Sequence, residues 1–109
     1  YPEARYNAAT GLARNGDLRA VPRLCEMLLV ENDEALLYEV KEATELRKWK
    51  RNLVILNALH GVKKLYSVNT EATVDESIKE AVQKLRGAAI FQAEDAIVLN
   101  DVMRFLNER

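Results

Sequence analysis

One stretch constrains this chain more than any other: residues 3 to 29, which read as two short helices folded back across a single tight turn. The turn is Asn15-Gly16-Asp17. Glycine supplies the left-handed residue on which helices commonly end. Aspartate is a residue type that accepts hydrogen bonds from the free N–H groups opening the next helix. Pro22 then falls in the first turn of that second helix, where a missing N–H does no harm. Ahead of the turn, Ala4, Ala8, Ala9, Leu12 and Ala13 form a stripe at helical spacing. Beyond it, Val21, Leu24, Cys25 and Leu28 recur at steps of three and four and predict the buried side of a helix facing the first. An alanine stripe buries little area, but it lets a neighbouring helix come close.

A chain of 109 residues suits one domain, taken here as residues 1–109. Apolar residues make up 49% and charged residues 30%, a balance that supports a packed core and argues against disorder. The net charge of -1 denies the whole chain the electrostatic footprint expected for nucleic acid or anionic lipid. A single cysteine excludes an internal disulfide and a multi-cysteine zinc site. No apolar run approaches the ~18 residues of a membrane span. The chain starts at Tyr1, directly before a helix, and ends on a polar helical tail, so it is expected to be a piece of a longer protein. The compartment is left open.

Beyond Leu29 the apolar rhythm fades, and Asp33 is placed to cap a helix over Glu34 to Leu46. Leu36, Leu37, Val40, Ala43 and Leu46 would face inward there, with Glu34, Glu39, Glu42 and Glu45 outside. The charge sign flips at Arg47-Lys48-Trp49-Lys50-Arg51. No Gly or Pro occurs from Asn32 to His60, so two helices with a break there and one long helix both fit. Asn52 to Tyr66 carries Leu56, Leu59, Val62, Leu65 and Tyr66 in one stripe, broadened by Leu53, Val54 and Ile55. Such a helix is covered on more than one side. Thr73 followed by Glu76 forms a capping-box pattern for a helix carrying Val74, Ile78, Ala81, Val82 and Leu85 and ending at Gly87, with Glu80 and Lys84 as a surface pair. A last helix is expected from about Ala93 to Asn107, with Ile97, Val98, Val102, Phe105 and Leu106 apolar. Every Val and Ile sits at helical spacing, so the expected fold is all-α.

The chain also repeats itself. Asn7-Ala8 and Gly11 match Asn57-Ala58 and Gly61 at an offset of 50, with Leu12 opposite Val62 and Arg14 opposite Lys64. The second helices match at an offset of 57, Val21, Leu24, Cys25 and Leu28 against Ile78, Ala81, Val82 and Leu85. Two helix pairs with one pattern predict an α-solenoid, in which each pair buries its face against the next. A mid-helix glycine costs roughly 1 kcal/mol against alanine. Close approach of a partner helix is the expected compensation at both Gly11 and Gly61.

The stretch RYNAATGLARNGDLRAVPRLCEML resembles a HEAT-like repeat of the short type found in phycobilin lyases and many bacterial proteins. The features that carry the resemblance are the Ala-rich first helix, Gly-Asp at the turn and Arg-Ala-Val-Pro opening the second helix. It covers Glu3 to Leu29; Asn52 to Gly87 follows the pattern with a longer turn lacking Gly-Asp, and Glu34 to Arg51 is an inserted helical segment. The resemblance implies antiparallel helix pairs and a scaffold or adaptor role, with partners on the concave face lined by second helices.

Candidate chemistry is sparse. His60, the single histidine, has no Glu, Cys or second His at a metal-binding or triad spacing, and the His-Glu dipeptides of HEAT-like metal hydroxylases are absent. Cys25 sits on an apolar stripe with no basic neighbour to make it a thiolate. Glu39, Glu42 and Glu45 share roughly one helix face, as solvated acidic faces commonly do. No cofactor and no catalysis are expected. The partner-binding candidates are Arg19, Arg23 and Met27 on one second helix and Lys79, Gln83 and Arg86 on its repeat. The alternative is nucleic-acid binding through Arg47, Lys48, Trp49, Lys50 and Arg51 with Lys63 and Lys64, since basic residues around an aromatic can hold phosphates and stack on a base. It ranks second because the other basic residues are dispersed. Another protein is the expected partner, with end-to-end self-association through exposed apolar ends as a further expectation.

Overall fold

The computed structural model describes residues 2–29, 44–86 and 93–109, with side chains over 4–29, 51–86 and 96–109. Among these residues there is no strand. The described residues form five α-helices: α1 (Pro2–Arg14), α2 (Val21–Leu28), α3 (Thr44–Val68), α4 (Glu76–Leu85) and α5 (Ala93–Asn107). A 3-10 turn, Leu18–Ala20, leads into α2.

The hairpin closes as its residue types dictate. Gly16 takes the left-handed conformation, φ 71°. The Asp17 carboxylate accepts the Arg19 N–H at 3.0 Å and so caps the 3-10 turn, with α2 starting behind it at Val21 and Pro22 in its first turn. The inward face of α1 is rotated from the expected alanine stripe. Tyr6, Ala9 and Ala13 are buried, whereas Ala4 and Ala8 are exposed. Tyr6, Ala9 and Ala13 also lie at helical spacing, and the aromatic ring removes far more apolar surface from water than an alanine can, so the helix turns to bury it.

α3 runs without a break from Thr44 through Arg51 to Val68, so the one-helix reading holds over those residues. The expected acidic segment before Thr44 lies outside the described residues. α3 packs against α1 and α2 on one side and α5 on the other, while α2 also packs on α4 and α4 on α5. This is the sandwiched helix expected from its broad apolar face: Val54, Ile55, Ala58, Leu59, Val62, Leu65 and Tyr66 are all buried. Leu53 is left exposed at its edge, and Leu56 is only partly buried.

The helices of this seam approach closely at Gly61. A Cβ placed there would stand 3.0 Å from Leu24 Cδ2 and 3.9 Å from both Ala13 Cβ and Thr10 Cγ2. Its repeat mate differs: a Cβ on Gly11 would meet only the Arg14 guanidinium, at 3.9 Å. Close packing explains Gly61 and leaves Gly11 unexplained.

α4 begins two residues later than its capping box suggested. Asp75, not Thr73, is the N-cap, accepting the Ser77 N–H at 2.9 Å and the Ser77 hydroxyl as well. The Asp75 N–H donates to the buried Tyr66 hydroxyl at 3.1 Å, which holds residue 75 in extended backbone and keeps the helix from starting earlier. α4 ends at Leu85; Gly87 lies outside the described residues. Its ion pair is Lys79 with Glu76, 3.5 Å, and not Glu80 with Lys84. On α5, Leu99, Val102 and Leu106 are buried, with Val98 and Phe105 at the edge; Ile97 is 70% exposed and is not a core residue.

Two contacts tie the turns together. The Asn69 side-chain amide donates to the Gly16 carbonyl at 3.0 Å. The Arg109 guanidinium donates to the carbonyls of Tyr66, Asn69, Thr70 and Ala72 and lies over the Tyr66 ring, 5.8 Å from its centre. A cation gathering carbonyls at the end of α3 satisfies groups that a helix C-terminus otherwise leaves to water.

The two helical glycines yield a paired prediction. Gly11→Ala gains helix propensity in open space, about 0.5–1 kcal/mol, and should raise Tm by roughly 2–6 °C. Gly61→Ala makes the same gain but drives a methyl against the fully buried Leu24, so its Tm should not exceed that of the parent chain. Thermal unfolding followed by circular dichroism checks both; equal gains would remove the seam.

Candidate functional site

α1 and α3 lie side by side and run in the same direction, because Asn7 comes opposite Asn57, Thr10 and Ala13 opposite Gly61, and Arg14 opposite Lys64. Along their outer edge they leave a groove of about 690 Å³. An adjoining recess of about 240 Å³ continues it toward the start of α1. The groove changes character along its length. Tyr6, Met27, Leu53 and Val54 line the recess and make it largely apolar. Asn7, Thr10 and Asn57 border both parts. Arg14, His60, Lys63, Lys64 and Ser67 line the far end, and no carboxylate lines either part.

The local sequence explains this layout. Gly61 and Ala13 let the helices nest, so the polar side chains one step outward on each helix converge over the seam. Asn7 and Asn57 are mates in the internal repeat, which is why an amide stands on each bank.

The three cations are not equivalent. Lys63 Nζ pairs with Asp101 Oδ2 of α5 at 2.6 Å and lies 5.9 Å from the centre of the Phe105 ring. That hydrogen bond holds the Asp101 carboxyl below its usual range. Among the described residues, Arg14 and Lys64 have no carboxylate partner. They are the charges free to meet a ligand.

Of the sequence-predicted residues, Lys63 and Lys64 line the groove and Met27 its recess, and the others fall elsewhere. Arg19 is 79% exposed and paired with Asp17 at 2.6 Å. Arg23 is paired with Glu26 at 2.8 Å, and Lys79 with Glu76. Gln83 and Arg86 are exposed on α4. Met27 is only 1% exposed: it packs in the core and closes the floor of the apolar recess, so it does not extend the surface row of Arg19 and Arg23. Arg47, Lys48, Trp49 and Lys50 lie in the first turns of α3, with side chains outside the described residues. Arg51 follows them and keeps its Nε buried without a hydrogen-bond partner.

Cys25 donates its thiol to the Ser77 hydroxyl at 3.3 Å. Burial pushes its pKa up, against the opposing effect of that hydrogen bond, so it stays a thiol at neutral pH. Among the described residues no cluster of three His, Cys, Asp or Glu side chains is placed to hold a metal. No described helix is long and apolar enough to cross a membrane.

Residues 4–29, the α1–α2 hairpin that forms one bank and the floor of the groove, match the family described as PBS lyase HEAT-like repeat. The similarity to a HEAT-like repeat covers this hairpin. No curated protein and no solved structure matches the chain. The matched hairpin supplies Tyr6, Asn7, Thr10, Arg14 and Met27 to the groove, and α3 supplies the rest. The groove itself was not found by reading helix stripes. The signal that could have found it was the polar repeat pair Asn7 and Asn57 beside the matched Arg14 and Lys64.

The Asp101 pairing fixes a pH response. A carboxylate of lowered pKa keeps its ion pair above the ordinary aspartate range and loses it as the pH falls through the folded-state value. Asp101 should therefore titrate below the ordinary value of about 3.9 in a carboxyl-resolved NMR titration. Lys63→Ala should raise it toward that value, with Arg104 and His60 still holding it down.

Proposed function

We propose that this chain is a protein-interaction module of a helical-repeat scaffold, a single domain without catalytic activity of its own. The observation that carries the reading is the groove between α1 and α3: open, built on a HEAT-like repeat, and lined by amides, hydroxyls and unpaired cations rather than by an acid–base pair. Such a surface holds a ligand by hydrogen bonds and charge and has no activated group to attack it. Extension of the α1, α3, α5 row and the α2, α4 row by further pairs would make the solenoid that the internal repeat suggests. A second contact surface, Arg19 and Arg23 with Lys79, Gln83 and Arg86 on the second helices, belongs to the same proposal.

A specific feature keeps a second reading, nucleic-acid binding. Lys64 and Arg14 share the groove with Lys63, and Arg47 to Arg51 open the same helix α3. Two free cations and a net charge of -1 make a weak phosphate track.

Site-specific photo-crosslinking separates these readings. With the crosslinker at position 64 or at position 23 in the producing cell, discrete protein adducts are expected, one at twice the chain mass marking self-association. Adducts with nucleic acid alone, or none at either position, would overturn the proposal.

A further inference from the structure

The geometry points to a ligand class for the groove: a short acidic peptide segment with an apolar side chain near one end. This assignment rests on the interaction-module reading and adds to it a site and a chemistry.

Length comes first. The lining of α3 from Leu53 to Ser67 spans about 20 Å at 1.5 Å per helical residue. An extended peptide rises about 3.3 Å per residue, so roughly six residues fill the groove. Polarity then sets the order of features along it. At one end Tyr6, Met27, Leu53 and Val54 offer an apolar recess, of which Leu53 is 42% exposed and the other three nearly buried. At the other end Arg14 and Lys64 stand on opposite banks with no carboxylate of their own. An incoming Asp or Glu side chain between them gains two charge partners without displacing a resident one.

Between the ends, Asn7 and Asn57 face each other across the groove with Thr10 beside them. Each side-chain amide carries two donors and an acceptor. A peptide backbone in extended form presents donors and acceptors on alternate sides, so one amide on each bank can pair with it whatever its sequence. That the two amides are repeat mates is a reason to read them as a backbone grip.

The same observations disfavour a nucleic acid here. Lys63 is already matched by Asp101 at 2.6 Å, which leaves two free cations for a whole phosphate track. The aromatic ring of the groove, Tyr6, is only 4% exposed and offers no open face for a base.

The test uses the intact chain. Random dodecapeptides displayed on phage are panned on it, and selected peptides are remade with a fluorophore for anisotropy at low and high salt. Selected sequences should carry at least two Asp or Glu within six residues of a large apolar residue. Arg14→Glu with Lys64→Glu should lower their affinity at least about tenfold, roughly 1.4 kcal/mol, while Arg14→Lys with Lys64→Arg keeps it within about threefold. Asn7→Ala with Asn57→Ala should weaken all selected peptides alike. Asn7, Arg14, Asn57 and Lys64 are all exposed, and circular dichroism verifies that each variant is folded. Selection of neutral or basic peptides, indifference to the double charge reversal, or a single-stranded oligonucleotide that displaces the peptides at lower concentration would overturn the assignment. Protein adducts at position 23 alongside any of these results would leave the interaction module standing and remove only the groove.

Discussion

The fold depends on how closely α3 approaches the α1–α2 hairpin. Leu24 fills the space where Gly61 has no side chain, and Ala13 and Thr10 close the same contact from α1. Packing at this distance is intolerant: a single extra methyl group has 3.0 Å to the nearest atom. The consequence is that α3 takes its register from the α1–α2 hairpin. Asn57 comes opposite Asn7 and Lys64 opposite Arg14 because Gly61 can sit in only one place along α1. The groove therefore inherits its polarity from the core beneath it. The apolar recess lies where Met27 of α2 reaches between the two helices, and the cationic end lies where both helices run out toward their turns.

The turns are held by a different set of forces. Asn69 bonds the Gly16 carbonyl, Tyr66 receives the Asp75 N–H, and Arg109 collects four carbonyls around the end of α3. Each is a polar contact made over a buried or half-buried ring or turn. Tyr66 is central, with its ring in the core, its hydroxyl on the α4 cap and its outer face under the Arg109 guanidinium. Burial pushes its pKa up, so the hydroxyl remains neutral and remains able to accept that N–H throughout the neutral range.

Much of this was legible in the residues, and the misses share a cause. Helix periodicity located α5 at Ala93–Asn107 and the broad face of α3, because large apolar side chains at steps of three and four leave few alternatives. Asn15-Gly16-Asp17 announced its turn because its chemistry is local. Where the decision was not local, the pattern misled. Thr73 and Asp75 both satisfy a capping rule, and the choice is made by Tyr66, nine residues away. Ala4 and Tyr6 both start a helical stripe, and the choice is made by the area each can bury against a partner helix. Ile97 and Leu99 are equally apolar, and only the position of α3 decides that Leu99 is covered. The groove belongs to the same class. Neither Asn7 nor Asn57 means anything on its own helix; they become a site when two helices nest in register.

The same reasoning separates the two candidate surfaces. On the second-helix face, Arg19, Arg23 and Lys79 each carry a resident carboxylate within 4 Å, namely Asp17, Glu26 and Glu76. Exposed pairs of this kind contribute little to stability. They nonetheless cancel the local field, so an acidic ligand arriving there must compete with a carboxylate tethered beside its cation. In the groove the arrangement is reversed. One lysine is neutralised by Asp101 on α5, while Arg14 and Lys64 remain uncompensated on opposite sides of a concave surface. Like charges facing each other across a groove repel, and an anion between them relieves that repulsion as well as gaining two attractions. A chain of net charge -1 that leaves two cations unpaired in this concavity has placed its attraction for anions where shape can select among them.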